Sequence, residues 1–260
     1  MNRIDIEKQQ HYNEKVRNYE LNVQKLAKKE ASVLAECRAR PQLAACKLFS
    51  LSEDMLNLTS NYLIINGISV SVINSKNEEA LNEAKKTLSK AIIYLENIVT
   101  GKIDVPFSDY ETNLAELDDI SSERRLYIVK KAGITIDFLK AAYGDNSKWK
   151  WVFVDLEGKF AAVAKNLLNL KKAQSNSDPN SPDYEPILYH TYFAKQLLSK
   201  SAESFHGRFE LVTRRKEDLR VAIVYLNSLR RLHILFGEKE DAESAKKKSD
   251  NWTAIMDTLS

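Results

Sequence analysis

Few residues in this chain have a type and spacing that suggest chemistry. Cys37 and Cys46 are its two cysteines, and both fall in the stretch CRARPQLAAC. Such a pair can close a disulfide, share a metal ion or stand as separate thiols. The choice bears on the compartment, because disulfides persist in oxidising surroundings. On one continuous helix their Cα atoms would be about 13 Å apart, beyond the roughly 7 Å that a bridge tolerates. Pro41 disfavours the helical conformation at Arg40 and lets the chain double back, so bridge and separate thiols both stay open. Closed, the short loop would contribute roughly 2–3 kcal/mol. Two thiols with no histidine beside them do not complete a four-ligand zinc site.

The remaining candidates are weaker. His11, His190, His206 and His233 lie on separate segments or several turns apart. No pair has the i,i+4 spacing of two ligands on one helix face, so a metal site would have to assemble in three dimensions. They read as solvated or hydrogen-bonded histidines. No Walker-type loop, dinucleotide fingerprint, EF-hand loop or HExxH motif is present. VTGK and YGDNSK lack the glycines that bring several amides onto one phosphate. The basic runs ERR, RRKEDLR and KKK each have acidic neighbours and read as solvated faces. No pair of carboxylates is singled out in an apolar setting, as acid–base catalysis requires. The expectation is therefore no enzyme, no catalytic residue, no cofactor, no metal and no small-molecule ligand.

The elements that would position these residues are helices. Of 260 residues, 7 are Gly and 5 are Pro, too few for the tight turns of a sandwich or barrel. Hydrophobic residues make up 43% and charged ones 29%, which describes a folded chain with more charge than average. A net charge of +3, from 39 basic and 36 acidic residues, does not call for nucleic acid or a membrane surface. No uninterrupted run of about 18 apolar residues appears, so membrane insertion is not expected. The opening MNRIDIEKQQHYNEK has no apolar signal core. It reads either as a cytosolic start or as a mature chain whose signal was replaced by Met.

Residues 4 to 36 predict a first helix, with Tyr12, Val16, Tyr19, Val23 and Leu26 stepping by four and three along one face. After Pro41 a turn follows, and Ser52 with Glu53 and Asp54 reads as the start of the next helix. YLIINGISVSVINS is ambiguous. Asn66-Gly67 between β-branched residues signals a hairpin, whereas a helix running through would carry Gly67 at about 1 kcal/mol. A lone hairpin has no other strand to join, and the helix is the reading adopted over 62–73. Asn77 opens another helix with Leu81, Leu88, Ile92, Leu95 and Val99 on one face and Gly101 as its cap.

SDYE at 108–111 has the form of a capping box and predicts a long helix to Tyr143, ended by Gly144. Its apolar stripe would be Leu114, Leu117, Ile120, Tyr127, Ile134 and Ala141. Ser147 would cap a further helix with Val152, Leu156, Phe160, Val163, Leu167 and Leu170 inward. SNSDPNSPDYEP, with three prolines in twelve residues, is the one clear linker. From Ile187 to Phe236 runs the longest periodic segment, with Phe205, Phe209, Val212, Leu219, Ile223 and Leu226 in heptad rhythm. Gly207 would bend it and Gly237 would end it, before an amphipathic tail carrying Trp252, Ile255, Met256 and Leu259. The fold class is all-α: an elongated bundle of long helices with coiled-coil-like arms. Residues 1–174 form an N-terminal helical region, 175–186 the Pro-rich linker, and 187–260 a long helix with a short packing helix, together one cooperative unit.

In KWKWVFVDLEG, Trp151 and Val154 fall off the Val152–Leu156–Phe160 stripe. They bury a second face of a sandwiched helix, or they form an exposed patch at a partner interface.

Long helices, a seven-residue rhythm and one Pro-rich break describe a structural protein. The Tyr-rich opening HYNEKVRNYELNVQKL and the closing DLRVAIVYLNSLRRLHILFGEKEDAESA resemble the flagellar-coiling proteins of spirochaetes, helical components of the sheath around periplasmic flagella. The resemblance implies a V-shaped or elongated helical fold and a periplasmic, flagellum-associated location. It also implies partners among other flagellar sheath and core proteins, and it suits a Cys37–Cys46 disulfide. The function expected is a non-enzymatic assembly protein that contributes to filament curvature and motility, since a stiff subunit placed on one side of a tube biases its curvature. The alternative is a cytosolic helical adaptor or scaffold that binds a protein partner.

Overall fold

The computed structural model describes residues 3–144, 149–176 and 178–259, and every regular element among them is helical. The chain divides into two compact units, Met1–Ile98 with Lys130–Lys150, and Val99–Val129 with Trp151–Ser260. The Pro-rich stretch 175–186 is no boundary between them but lies within the second. Ser147, expected to cap a helix, lies outside the described residues.

In the first unit, α1 (Arg3–Ala39) packs against α2 (Ala44–Ile73), which packs against α3 (Glu78–Ile98). The stripe expected on α1 is the inward one. Val16 is buried, and Tyr12, Tyr19 and Val23 pack around it against Ile65 and Ala80. Glu30, two turns beyond Val23, accepts from the Tyr94 hydroxyl at 2.5 Å and from Lys90 at 2.9 Å, tying α1 to α3.

The start of α2 is set by Pro41 rather than by Ser52. Pro41–Leu43 forms a tight 3-10 turn with proline at its start, where no N–H is needed, and α2 follows directly. Ser52 is consequently buried in mid-helix. The helix also runs through Gly67, and no hairpin forms. Asn66, the hairpin signal in the sequence, is buried and accepts from the Asn77 amide at 2.9 Å. Asn74 ends α2 in the left-handed conformation, at φ 59°. Asparagine tolerates that region better than most residues. Asn77 then caps α3 by accepting from the Ala80 amide at 2.9 Å, as its sequence position predicts. Gly101 has no part in ending α3, which stops at Ile98.

Pro41–Ile73 is long and apolar enough to cross a membrane by those two measures, with a mean hydropathy of 1.2 over 18 residues. Core helices pass the same test, and α2 buries Phe49, Met55 and Leu56 between its neighbours.

Two long helices expected from periodicity are broken in the structure. Ser108 caps nothing; its hydroxyl reaches Asp109, and α4 (Glu111–Ala115) is a single turn. The chain then leaves the helix until α5 (Ser122–Tyr143), where Ser121 Oγ accepts from the Arg124 amide at 3.2 Å. Arg125 is buried and donates to the carbonyls of Leu117 (2.6 Å) and Ile120 (3.2 Å), groups that helix continuation would have satisfied. The buried stripe of α5 is Val129, Ala132, Ile136, Leu139 and Tyr143, whereas Tyr127 and Ile134 of the expected stripe are exposed. Gly144 ends α5 at φ +88°, as expected.

The second unit contains α4 and the first turns of α5, followed by α6 (Lys150–Asn166), α7 (Leu170–Ser175), α8 (Tyr184–Arg208), α9 (Lys216–Leu235) and α10 (Lys239–Thr258). Leu156, Phe160, Val163, Leu167 and Leu170 are buried as their spacing predicts, while Val152 is exposed. Across the Pro-rich stretch, Asn176 donates to the Tyr184 carbonyl at 3.0 Å.

The run from Ile187 to Phe236 is two helices. A π-type turn at Phe209–Thr213 and Arg214 at φ 51° separate α8 from α9. The expected stripe skips from Val212 to Leu219 because Arg215 and Lys216 stand where an apolar residue would be, and there the helix stops. Asp218 closes the break, accepting from Arg208 (3.0 and 2.5 Å) and from the Thr213 hydroxyl (2.6 Å). Gly207 lies within α8, short of the break. Gly237, at φ +73°, ends α9 as predicted. On α10, Trp252 is buried and Met256 and Leu259 pack on the same core, while Ile255 is largely exposed.

Candidate functional site

The second unit holds a cavity of about 570 Å³ walled by α8 and α9 and closed at one end by the turn into α10. Tyr184, Leu188, Thr191, Tyr192 and Lys195 line it at steps of three and four along α8. Leu229, His233 and Phe236 face them from α9 at the same spacing. Glu238 and Asp241 complete the wall after Gly237 turns the chain. The turn is held by the Glu238 amide, which donates to the His233 carbonyl at 2.9 Å.

Charge gathers at that end. Lys195 Nζ lies 2.6 Å from both oxygens of Glu238 and sits over the Phe236 ring, 4.7 Å from its centroid. His233 Nδ1 lies 2.5 Å from the second Glu238 oxygen, as donor to the carboxylate. Partial burial acts to raise the Glu238 pKa, but the hydrogen bonds from Lys195 and His233 outweigh it and hold the carboxyl below its usual range. Asp241, in the first turn of α10, is exposed beside them, and one ligand atom each of His233, Glu238 and Asp241 lies within 4.8 Å of the others. This group can hold a cation, through one imidazole nitrogen and two carboxylates.

Of the residues singled out in the sequence, His233 is brought to this site, whereas the cysteines, Trp151 and Val154 are not. Cys37 is in the last turn of α1 and Cys46 in the first turn of α2, and they stand as thiols with no bridge between them. Each belongs to a helix rather than to the turn, so its direction is set by its own helix. Val154 is buried in the core of the second unit, not on an exposed patch, and Trp151 is half-buried against the same cluster. The Trp151 carbonyl accepts from Arg208 at 3.3 Å.

Two histidines are structural, as their sequence setting suggests. His190 is buried with Nε2 2.8 Å from the Ala164 carbonyl, and His206 stacks on Trp252 with ring centroids 4.2 Å apart. Lys165, which no pattern marks, is also buried and reaches the Ile103 carbonyl at 3.2 Å. Burial pushes its pKa down to about 8.

The local string HILFGEKED carries three members of the charged end at offsets of five and three around a glycine. No ligand-spacing rule covers that pattern, because the geometry comes from the turn, and Lys195 joins from a different helix.

Neither a curated protein nor a solved structure matches the chain. A family model does, over residues 8–260. The chain belongs to the TP0443 family, a family of spirochaete proteins.

Proposed function

We propose that this chain is a non-enzymatic assembly protein of the spirochaete periplasm, acting in the sheath of the flagellar filament and contributing to its curvature. The observation that carries the reading is the second apolar side of α5. Opposite its buried stripe, Ile134 and Phe138 stand one turn apart with 56% and 64% of their surface exposed. Covering two such side chains would contribute about 2–4 kcal/mol, and exposed neighbouring apolar residues of this kind mark protein contacts. Spirochaete family membership supports the same reading, as does the resemblance of the opening and closing segments to flagellar-coiling proteins. The partners are then other sheath and core proteins of the filament.

The test is recovery with the organelle. Periplasmic flagella isolated from the spirochaete should carry the chain in constant proportion to their sheath protein. Phe138→Glu, with unchanged helical circular dichroism, should be lost from them. A chain found wholly in the cytosolic fraction, with flagella free of it, would overturn the proposal.

A further inference from the structure

We propose that His233, Glu238 and Asp241 form a binding site for a divalent transition-metal ion of the Zn²⁺ type, at the end of the α8–α9 cavity. The inference is independent of the assembly role. It rests on where the turn after α9 puts three donors. His233 ends α9, Gly237 at φ +73° reverses the chain, and Glu238 and Asp241 come from the start of α10. Their ligand atoms lie within 4.8 Å of one another. A tetrahedral ion with bonds near 2.1 Å holds its ligands about 3.4 Å apart. His233 Nδ1 and Glu238 must therefore part from their 2.5 Å hydrogen bond by roughly an ångström and Asp241 must swing to the same separation, movements that rotation about χ angles supplies.

The donor set indicates the class of ion. One imidazole and two carboxylates suit borderline ions such as Zn²⁺; Mg²⁺ and Ca²⁺ prefer oxygen alone, and no thiolate is in the group to select Cu⁺. The carboxylate already holds a cation, since both Glu238 oxygens grip the Lys195 ammonium at 2.6 Å. Lys195 is thus the competitor. An incoming ion displaces the ammonium from Glu238, and the lysine can swing back along the cavity wall. With Nδ1 as the ligand, the proton it shares with Glu238 moves to Nε2, leaving the neutral imidazole that a metal ion binds. The positive end of α10 opposes a cation, and the two carboxylates more than offset it. Asp241 is exposed, so the ion is reached from solvent, and its remaining position faces water or a ligand in the cavity.

The full chain, stripped of metal with a chelator, should be titrated with ZnCl₂ by calorimetry and with Co²⁺ by visible absorption. One ion per chain is expected, with the d–d band of a low-coordinate Co²⁺ site and a rise in melting temperature. His233→Ala and Asp241→Asn should each weaken binding by roughly tenfold or more. Lys195→Met should tighten it, because the competing ammonium is gone. Asp241 is exposed, so its variant keeps the test alive if His233→Ala folds poorly. Absence of heat and of a Co²⁺ spectrum overturns the proposal. So does binding that Asp241→Asn leaves unchanged, or that Lys195→Met fails to strengthen.

Discussion

Gly158 lies so close to Phe205 that a methyl group on Gly158 would stand 2.8 Å from the edge of that ring. The same methyl would be 2.6 Å from the Tyr225 hydroxyl, and the two rings are stacked with centroids 5.5 Å apart. A glycine in mid-helix is itself unfavourable by roughly 0.5–1 kcal/mol. Here it is what lets α6 meet the stacked pair.

Gly158→Ala should therefore lower stability by about 1–2 kcal/mol, the overpacking penalty less the gain in helix propensity. Gly67 is the control, since a methyl there meets nothing within 4 Å. Gly67→Ala should raise stability by about 0.5–1 kcal/mol. Chemical denaturation of the two variants checks both signs, and equal shifts would contradict the close approach at Gly158.

His190 should make stability depend on pH. Burial pushes its pKa down to about 4; the hydrogen bond with Ala164 opposes this, and the nearby charge of Arg125 adds to it. An unfolded histidine titrates near 6.5. Between those values the unfolded chain takes up a proton that the folded chain refuses, so stability falls as pH drops from about 6.5 to 4. Above that window it is unaffected. The loss approaches about 3 kcal/mol at the lower end. His190→Gln keeps an amide donor for Ala164 and should remove this part of the slope; an unchanged slope would show that His190 is not its source.

Trp151 packs half-buried against the core of the second unit. Trp151→Ala should lower stability by roughly 1.5–3 kcal/mol, the value of the burial it gives up. A melting temperature within a degree of the parent would instead return the indole to the role of a partner anchor.

The cysteines should react as two thiols. Alkylation of native, unreduced protein followed by mass spectrometry is expected to label both Cys37 and Cys46. A loss of two hydrogens across CRARPQLAAC, with no label, would show a bridge, and its reduction would then cost roughly 2–3 kcal/mol.

What the sequence by itself determined was local. The Tyr12–Val16–Tyr19–Val23 stripe, the Asn77 cap and the stops at Gly144 and Gly237 all stand in the structure where their residues place them. Each depends on contacts within about one helical turn, so neighbouring residues are enough to specify it. Residues 62–73 were open between helix and hairpin for the same reason, because the Asn66-Gly67 signal is local. Packing of α2 between α1 and α3, with Asn66 turned to the Asn77 amide, gives the helix.

Tertiary structure decided what depends on phase and on distant partners. Two apolar stripes can be drawn on α5, and tertiary packing buries the one with Val129, Ala132, Ile136 and Leu139 while Tyr127, Ile134 and Phe138 stay exposed. The heptad rhythm runs across Arg214, but Arg208, Thr213 and Asp218 hold the chain in a turn there. His233 and Glu238 are five residues apart, a spacing that matches no helix face, and Lys195 comes from another helix altogether. Their convergence follows from the direction in which α10 leaves Gly237. Local periodicity does not encode that direction, because it is settled by how Trp252 and its neighbours on α10 bury themselves in the core of the second unit.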